Sequence, residues 1–196
     1  MTIWTSRPAE PMTTAEQPGD EIEYVVTFLE MPHRPSAPLP PRPMNAQTAL
    51  LRAEDPPAEY FLYLYGTVGA PYEWTDWFDR SRDELEEFVG NPSVLLYTLM
   101  LDGWPGGFFM LDQSQTGICD LAYFGLVPQA VGRRLGHWFL ATAVDTGWAL
   151  SGTERMTVNT NTLDHPRAIG LYQRVGFEPV RRETHRRTLT QARPRE

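Results

Sequence analysis

The stretch GLVPQAVGRRLGHWFL, residues 125–140, runs an apolar strand-like segment into two glycines, two arginines and an apolar sequence at helical spacing. A helix entered from such a turn presents unpaired backbone N–H groups and the positive end of its dipole. Glycine lets that backbone approach a ligand because no Cβ intervenes. Gly132 and Gly136, with Arg133 and Arg134, therefore suit a phosphate or pyrophosphate, although the same glycines would also serve a tight turn. Neither a G-x-x-x-x-G-K-[ST] run nor a three-glycine dinucleotide pattern is present. A second chemical cluster lies in PYEWTDWFDR, 71–80, where Glu73 and Asp76 stand beside Tyr72, Trp74 and Trp77. Such a loop holds a cationic amine, or is a solvated loop with its aromatics packed inward. Cys119 reads as a core residue. His33, His137, His165 and His185 share no ligand spacing with one another or with Cys119, so no catalytic metal is expected. There is no G-x-S-x-G elbow.

These residues need a scaffold, and the patterning supplies one. Residues 22–31 read as a strand, 32–43 as a proline-dense extended connection, and 46–53 as a weak strand. Prolines open a helix over 56–69, and Ser81 caps a second that stops at Gly90. Two strands meet at Asp102-Gly103, a hairpin signal. A third, 117–127, is apolar on both faces and reads as central. A helix from Leu135 to Leu150, a strand over 154–161, a helix over 165–176 and a last strand over 177–189 follow. This order predicts a mixed α/β sheet.

The chain has 196 residues, enough for one domain behind a loose arm over residues 1–21. No apolar run reaches membrane-spanning length, and the start lacks the pattern of a signal peptide. With one cysteine there is no internal disulfide, and a cytoplasmic protein is the simplest reading. Residues 1–126 hold 6 Arg against 19 acidic residues and 127–196 hold 11 Arg against 6, so the halves carry −13 and +5. Every basic side chain is Arg. The asymmetry suits an anionic ligand on the C-terminal half and a cationic one on the N-terminal half. No basic face with interleaved aromatics suggests nucleic acid.

The C-terminal half resembles the GNAT acetyltransferase superfamily. His165, Ala168, Leu171, Tyr172, Gly176 and Phe177 match the spacing of that family's Asn-x-x-Ala-x-x-Leu-Tyr-x-x-x-Gly-Phe helix, with His165 in place of Asn. Val131 to Gly136 matches its Arg/Gln-x-x-Gly-x-Gly/Ala turn, with Val131 in place of Arg/Gln and Arg134 in place of the first glycine. YLYGTVGAPYEW and AYFGLVP extend the likeness, to a bacterial subgroup with an N-terminal strand and a proline-rich strap, over roughly residues 22–183.

The resemblance implies a mostly antiparallel sheet with a splayed parallel strand pair, flanked by helices. It implies a strand and strap over 22–45, a transferase domain over 46–190 and a tail over 191–196. Acetyl-CoA would be the co-substrate and a primary amine of a small molecule or peptide the acceptor, with no metal. Phe124, Gly125, Leu126 and Val127 would hold the pantetheine arm. Val131, Gly132, Arg133, Arg134, Leu135 and Gly136 would hold the pyrophosphate, with His165, Ala168 and Tyr172 alongside. Tyr172 is the implied general acid and Asp120 the candidate base, or else a member of a structural network. Tyr72, Glu73, Trp74, Asp76, Trp77 and Asn161 would face the acceptor, for which the acidic N-terminal half favours a cation. A non-catalytic acyl-CoA-binding module and a protein-interaction unit built on the strap and aromatic loop are the alternatives. Oligomeric state is open, a homodimer included, since strand 22–31 could cover or extend a sheet edge.

Overall fold

A computed structural model of the chain describes residues 15–44 and 46–193. Seven strands form one sheet: β1 (Glu21–Met31), β2 (Thr48–Ala53), β3 (Val94–Leu101), β4 (Trp104–Asp112), β5 (Ile118–Leu126), β6 (Arg155–Asn161) and β7 (Glu178–Thr188). Four helices accompany them: α1 (Ala58–Gly69), α2 (Arg82–Gly90), α3 (Gly136–Ala149) and α4 (Ala168–Arg174). The strand order is β2-β3-β4-β5-β6-β1-β7, and only the β5–β6 pair is parallel. The mixed, mostly antiparallel sheet expected from the sequence is therefore what forms.

Local signals explain the first half. Asp102 and Gly103 have φ of 51° and 93° and join Leu101 to Trp104 in a two-residue hairpin. The Asp102 carboxylate accepts the Gln47 N–H at 3.0 Å, which fixes the entry to β2. Ser81 and Glu84 cap α2 reciprocally.

The sheet is covered on both faces, and side-chain alternation sorts the core. Leu96, Phe108 and Met110 pack beneath α1 and α2 around Phe61. Leu95, Leu99, Phe109 and Leu111 pack with Phe139, Leu140 and Val144 of α3 on the other face. Phe61 makes ring contacts with Tyr65, Trp77, Phe88, Phe108 and Tyr123. This aromatic nucleus ties loop 71–80, itself folded into two 3-10 turns, to the sheet. The proline-rich strap leaves β1 and passes α3, where Arg34 pairs with Asp145 at 2.6 Å.

Strand β1 departs most from expectation. It is no edge cover: it lies between β6 and β7 and pairs antiparallel with both. Val26 faces Asn161 on one side and Glu183 on the other. β6 and β7 do not pair with each other, so without β1 the second half of the sheet has no continuous ladder. Residues 15–20, read as part of a loose arm, are hydrogen-bonded to the C-terminal segment through Gly19–Leu189, Leu189–Asp20 and the Glu16–Arg193 bridge. The rest of the expected arm, 1–14, and residues 194–196 of the tail lie outside the described residues. Among the described residues no helix is long and apolar enough to cross a membrane.

The interior position of β1 makes it sensitive to a lost ladder donor. Thr27, buried between Thr160 and Arg182, is a fair site. Thr27→Pro is expected to cost about 2–4 kcal/mol, from the missing hydrogen bond and the carbonyl left unpaired. Urea denaturation midpoints measure it, and a loss well under 1 kcal/mol would mean that β1 contributes little.

Candidate functional site

The site begins where two parallel strands part. β5 and β6 are paired only at Ile118–Arg155, Cys119–Met156 and Asp120–Thr157. Just beyond, Leu111 faces Leu121 while Met110 faces Tyr123, so Ala122 is an extra residue in β5. Such a bulge bends its strand and increases the local twist. β5 stays with β4 and turns from β6, leaving its remaining edge from Leu121 to Leu126 without a ladder partner on that side. The gap is a cleft of about 940 Å³. Gly125 allows β5 to lie against α1, since a Cβ there would collide with Val68.

One end of the cleft is the turn into α3. Val131, Gly132, Arg134, Leu135 and Gly136 border it, as do Phe124, Gly125 and Leu126 of β5. The helix starts at Gly136, with Leu135 as a fully buried N-cap whose carbonyl accepts the Phe139 N–H. The N–H groups of Gly136, His137 and Trp138 thus precede the first intrahelical bond. Gly132 has φ of 83° and Arg134 of 63°. A left-handed conformation suits glycine but costs an arginine about 1–2 kcal/mol. Arg134 is exposed and carries no hydrogen bond or ion pair among the described residues.

Two members of the expected cofactor set lie elsewhere. Arg133 turns away from the cleft and pairs with Asp102 at 2.9 Å, tying the turn to the β3–β4 hairpin. Val127 is buried in the core, and its N–H bonds to the Gly106 carbonyl.

At mid-cleft Tyr172 is 7% exposed, its ring edge-on to Phe124 and Phe177. Burial pushes its phenol well above the ordinary tyrosine range, and the charges of Asp164 and Asp120 add to the shift. The hydroxyl therefore keeps its proton throughout neutral pH. His165 and Ala168 border the cleft, but α4 is shorter than expected and begins at Ala168. His165 lies in the preceding turn, where its Nδ1 accepts the Arg167 N–H at 3.1 Å.

Asp120 is not placed as expected of a base. It sits at the closed vertex of the splay, does not border the cleft, and accepts a short hydrogen bond from Thr157 Oγ1. Desolvation, more than the nearby Asp112, raises its carboxyl above the usual range. Its place is the structural network that closes the strand pair.

The other end is walled by loop 71–80, β1 and β7. Tyr72, Glu73, Trp74, Asp76 and Asn161 border it as expected; Trp77 is buried in the aromatic nucleus and donates to the Tyr123 hydroxyl at 2.7 Å. Glu73, though, is 1% exposed, and its oxygens accept the N–H groups of Thr190 and Gln191 and the Thr190 hydroxyl. It latches the C-terminal segment to the loop, a use of the carboxylate that leaves little for an amine. Asp164 is similarly engaged by Thr160, the Asn161 N–H and Trp74 Nε1. Sequence reasoning missed Tyr24, Val26, Asn159, Asp164 and Arg187, all of which border the cleft. Alternation puts Tyr24 and Val26 on one face of their strand, but nothing local says which strands flank it.

No protein-family model matches the chain, and no curated protein does. Solved structures do. A GCN5-related N-acetyltransferase from Kribbella flavida superimposes with a TM-score of 0.54 at 18% identity, over 93% of this chain and 60% of its own. One from Sphaerobacter thermophilus gives 0.56 at 15%, over 89% and 53%. The chain thus spans only about 60% of the first and about half of the second. An aminoglycoside acetyltransferase from an uncultured soil metagenomic sample, solved with sisomicin, gives 0.52 at 13%, over 65% of this chain and 86% of its own. The chain has the fold of the GCN5-related N-acetyltransferases.

Two carboxylates of the site have testable energetics. Glu73→Ala leaves the Thr190 and Gln191 N–H groups without their acceptor and is expected to cost about 1–3 kcal/mol in denaturant unfolding; a neutral effect would remove the latch. Asp120 has the opposite sign. A carboxyl raised in the folded state contributes stability in full below its unfolded value of about 3.9, and loses it as pH rises through its folded value. Asp120→Asn should therefore match the parent in acid and exceed it near neutrality, read from unfolding midpoints across pH.

Proposed function

We propose that this chain, with its GNAT fold, is an acetyl-CoA-dependent N-acetyltransferase that moves an acetyl group directly to a primary amine of a small molecule or peptide. The observation that carries the reading is the unpaired edge of β5 leading straight into the free amides at the start of α3. An extended amide-bearing chain pairs with such an edge as an added strand would, and a diphosphate suits the helix start. The fold's solved relatives support the same reading. A cytoplasmic setting agrees with a single cysteine that is buried and unpaired.

Acetyl-CoA supplies a thioester, already activated toward an amine. The β5 amides around Phe124 to Leu126 hold its arm and orient the carbonyl. Gly132 and the amides of Leu135 and Gly136 take the diphosphate, and Arg134 adds a cation whose strained backbone is then put to use. His165, in the turn before α4, and Ala168, the first residue of that helix, flank the arm. Transfer forms the amine's N–C bond and breaks the C–S bond; the amine loses one proton and the sulfur gains one. Tyr172 holds that second proton, since its phenol stays protonated at neutral pH. A non-catalytic acyl-CoA-binding module is the second reading, favoured by Asp120 lying outside the cleft.

Acetyl-CoA is expected to raise the melting temperature, and thiol release with an amine panel, aminoglycosides included because one such enzyme shares the fold, reports transfer. Tyr172→Phe should lower turnover at least about tenfold with acetyl-CoA affinity little changed. Arg134→Glu should weaken acetyl-CoA binding, more so at low salt. No thermal shift at millimolar acetyl-CoA would overturn the proposal; a shift without thiol release would leave the binding module.

A further inference from the structure

The acceptor end of the cleft holds a cation that the proposed transfer does not use. Arg187 projects from β7, an edge strand, and borders the cleft beside Tyr24 and loop 71–80. Its side chain is 18% exposed. For a guanidinium with five N–H donors, its partners are few. Nη2 donates to Thr75 Oγ1 at 2.8 Å and lies 3.8 Å from Asp76 Oδ1, whose side chain is 77% exposed. Nε is buried with no partner. Nη1 is not among the buried atoms and has no partner among the described residues.

The acids nearby leave most of its N–H groups unmatched. Glu73 is spent on Thr190 and Gln191, and Asp164 on Thr160, Asn161 and Trp74. Only Asp76 remains, across a long gap and in solvent, where such a pair is weak. Thr75 is the one close hydrogen-bond partner of this mostly buried guanidinium, with Asp76 farther off, and the planar fork of N–H donors it has left matches a carboxylate.

We propose that the acceptor amine also carries a carboxylate, in the simplest case an α-amino acid, and that Arg187 binds that group. The assignment rests on the transfer proposed above and narrows its acceptor. It runs against the cationic acceptor expected from the acidic N-terminal half, because the acids that reach the cleft are mostly engaged internally. It also separates this chain from an aminoglycoside acetyltransferase of the same fold, since sisomicin is a polyamine without a carboxylate.

The test pairs the α-amino acids with their methyl esters, which keep the amine and side chain and lose the negative charge. Each pair is examined for binding in the presence of CoA, by ligand-observed NMR, and for acetylation, by thiol release. At least one amino acid should be preferred over its ester by tenfold or more in either measurement. Arg187→Gln should erase that preference, and Arg187→Lys should restore part of it. Preference for no carboxylate, stronger acetylation of sisomicin than of any amino acid, or an unchanged preference in Arg187→Gln would overturn the assignment. Acetyl-CoA binding, read separately from the melting temperature, reports on the transferase reading. If that fails, the NMR arm still decides whether Arg187 takes a carboxylate.

Discussion

The parting of β5 from β6 is the constraint on which the molecule's site depends. Three residue pairs hold the strands in parallel, and one extra residue at Ala122 ends the pairing. A buried strand edge with unmatched amides is costly in any protein. Here the open edge borders water in a cleft, and the hydrogen bonds withheld from β6 become available to a ligand. Asp120 and Thr157 tie the vertex at the last paired position, so the split starts at a defined residue. The helix start, the aromatic loop and Tyr172 are all placed relative to that opening.

A second constraint holds the far wall. β6, β1 and β7 form a three-strand unit whose middle member comes from the N-terminal end of the described chain. Glu73 joins that wall to the aromatic loop through the backbone of residues 190 and 191, at the expense of a left-handed φ of 62°. Arg134 carries the same kind of strain at the opposite end of the cleft. Both are side chains in conformations glycine would take freely, and both border the cleft. Of the four non-glycine residues with left-handed φ among the described residues, Asp55 and Asp102 lie off the cleft and these two lie on it.

Much of the fold was legible because it is written in local chemistry. Ser81 as a cap, Asp102-Gly103 as a hairpin and the strand-turn-helix from Gly125 are short-range signals, and each formed where expected. Gly132 and Gly136, which border the cleft, were legible for the same reason, whereas Phe124 and Tyr172 came from the family resemblance. What could not be read is long-range. The bulge at Ala122 arises from how β5 lies on β4, and nothing in LAYF announces it. Arg133 and Arg134 are neighbours of one type, yet one reaches a hairpin aspartate and the other, itself left-handed, borders the cleft. Glu73 read as an acid for a cationic amine or for solvent because its partners, Thr190 and Gln191, are more than a hundred residues away. The part of the cleft wall formed by β1 and β7 stayed hidden, since strand pairing between distant segments leaves no local trace.

The position of β1 also bears on how the chain reaches this state. Its two flanking strands are encoded more than a hundred residues later, so β1 leaves a ribosome well before either neighbour exists. At roughly 5–20 residues per second, that wait is on the order of ten seconds, with an apolar segment such as YVVTFL exposed to other nascent chains meanwhile. Large sequence separation between partners also slows closure once synthesis ends. The same pairing that completes the cleft wall therefore leaves β1 the element most exposed to wrong partners during synthesis.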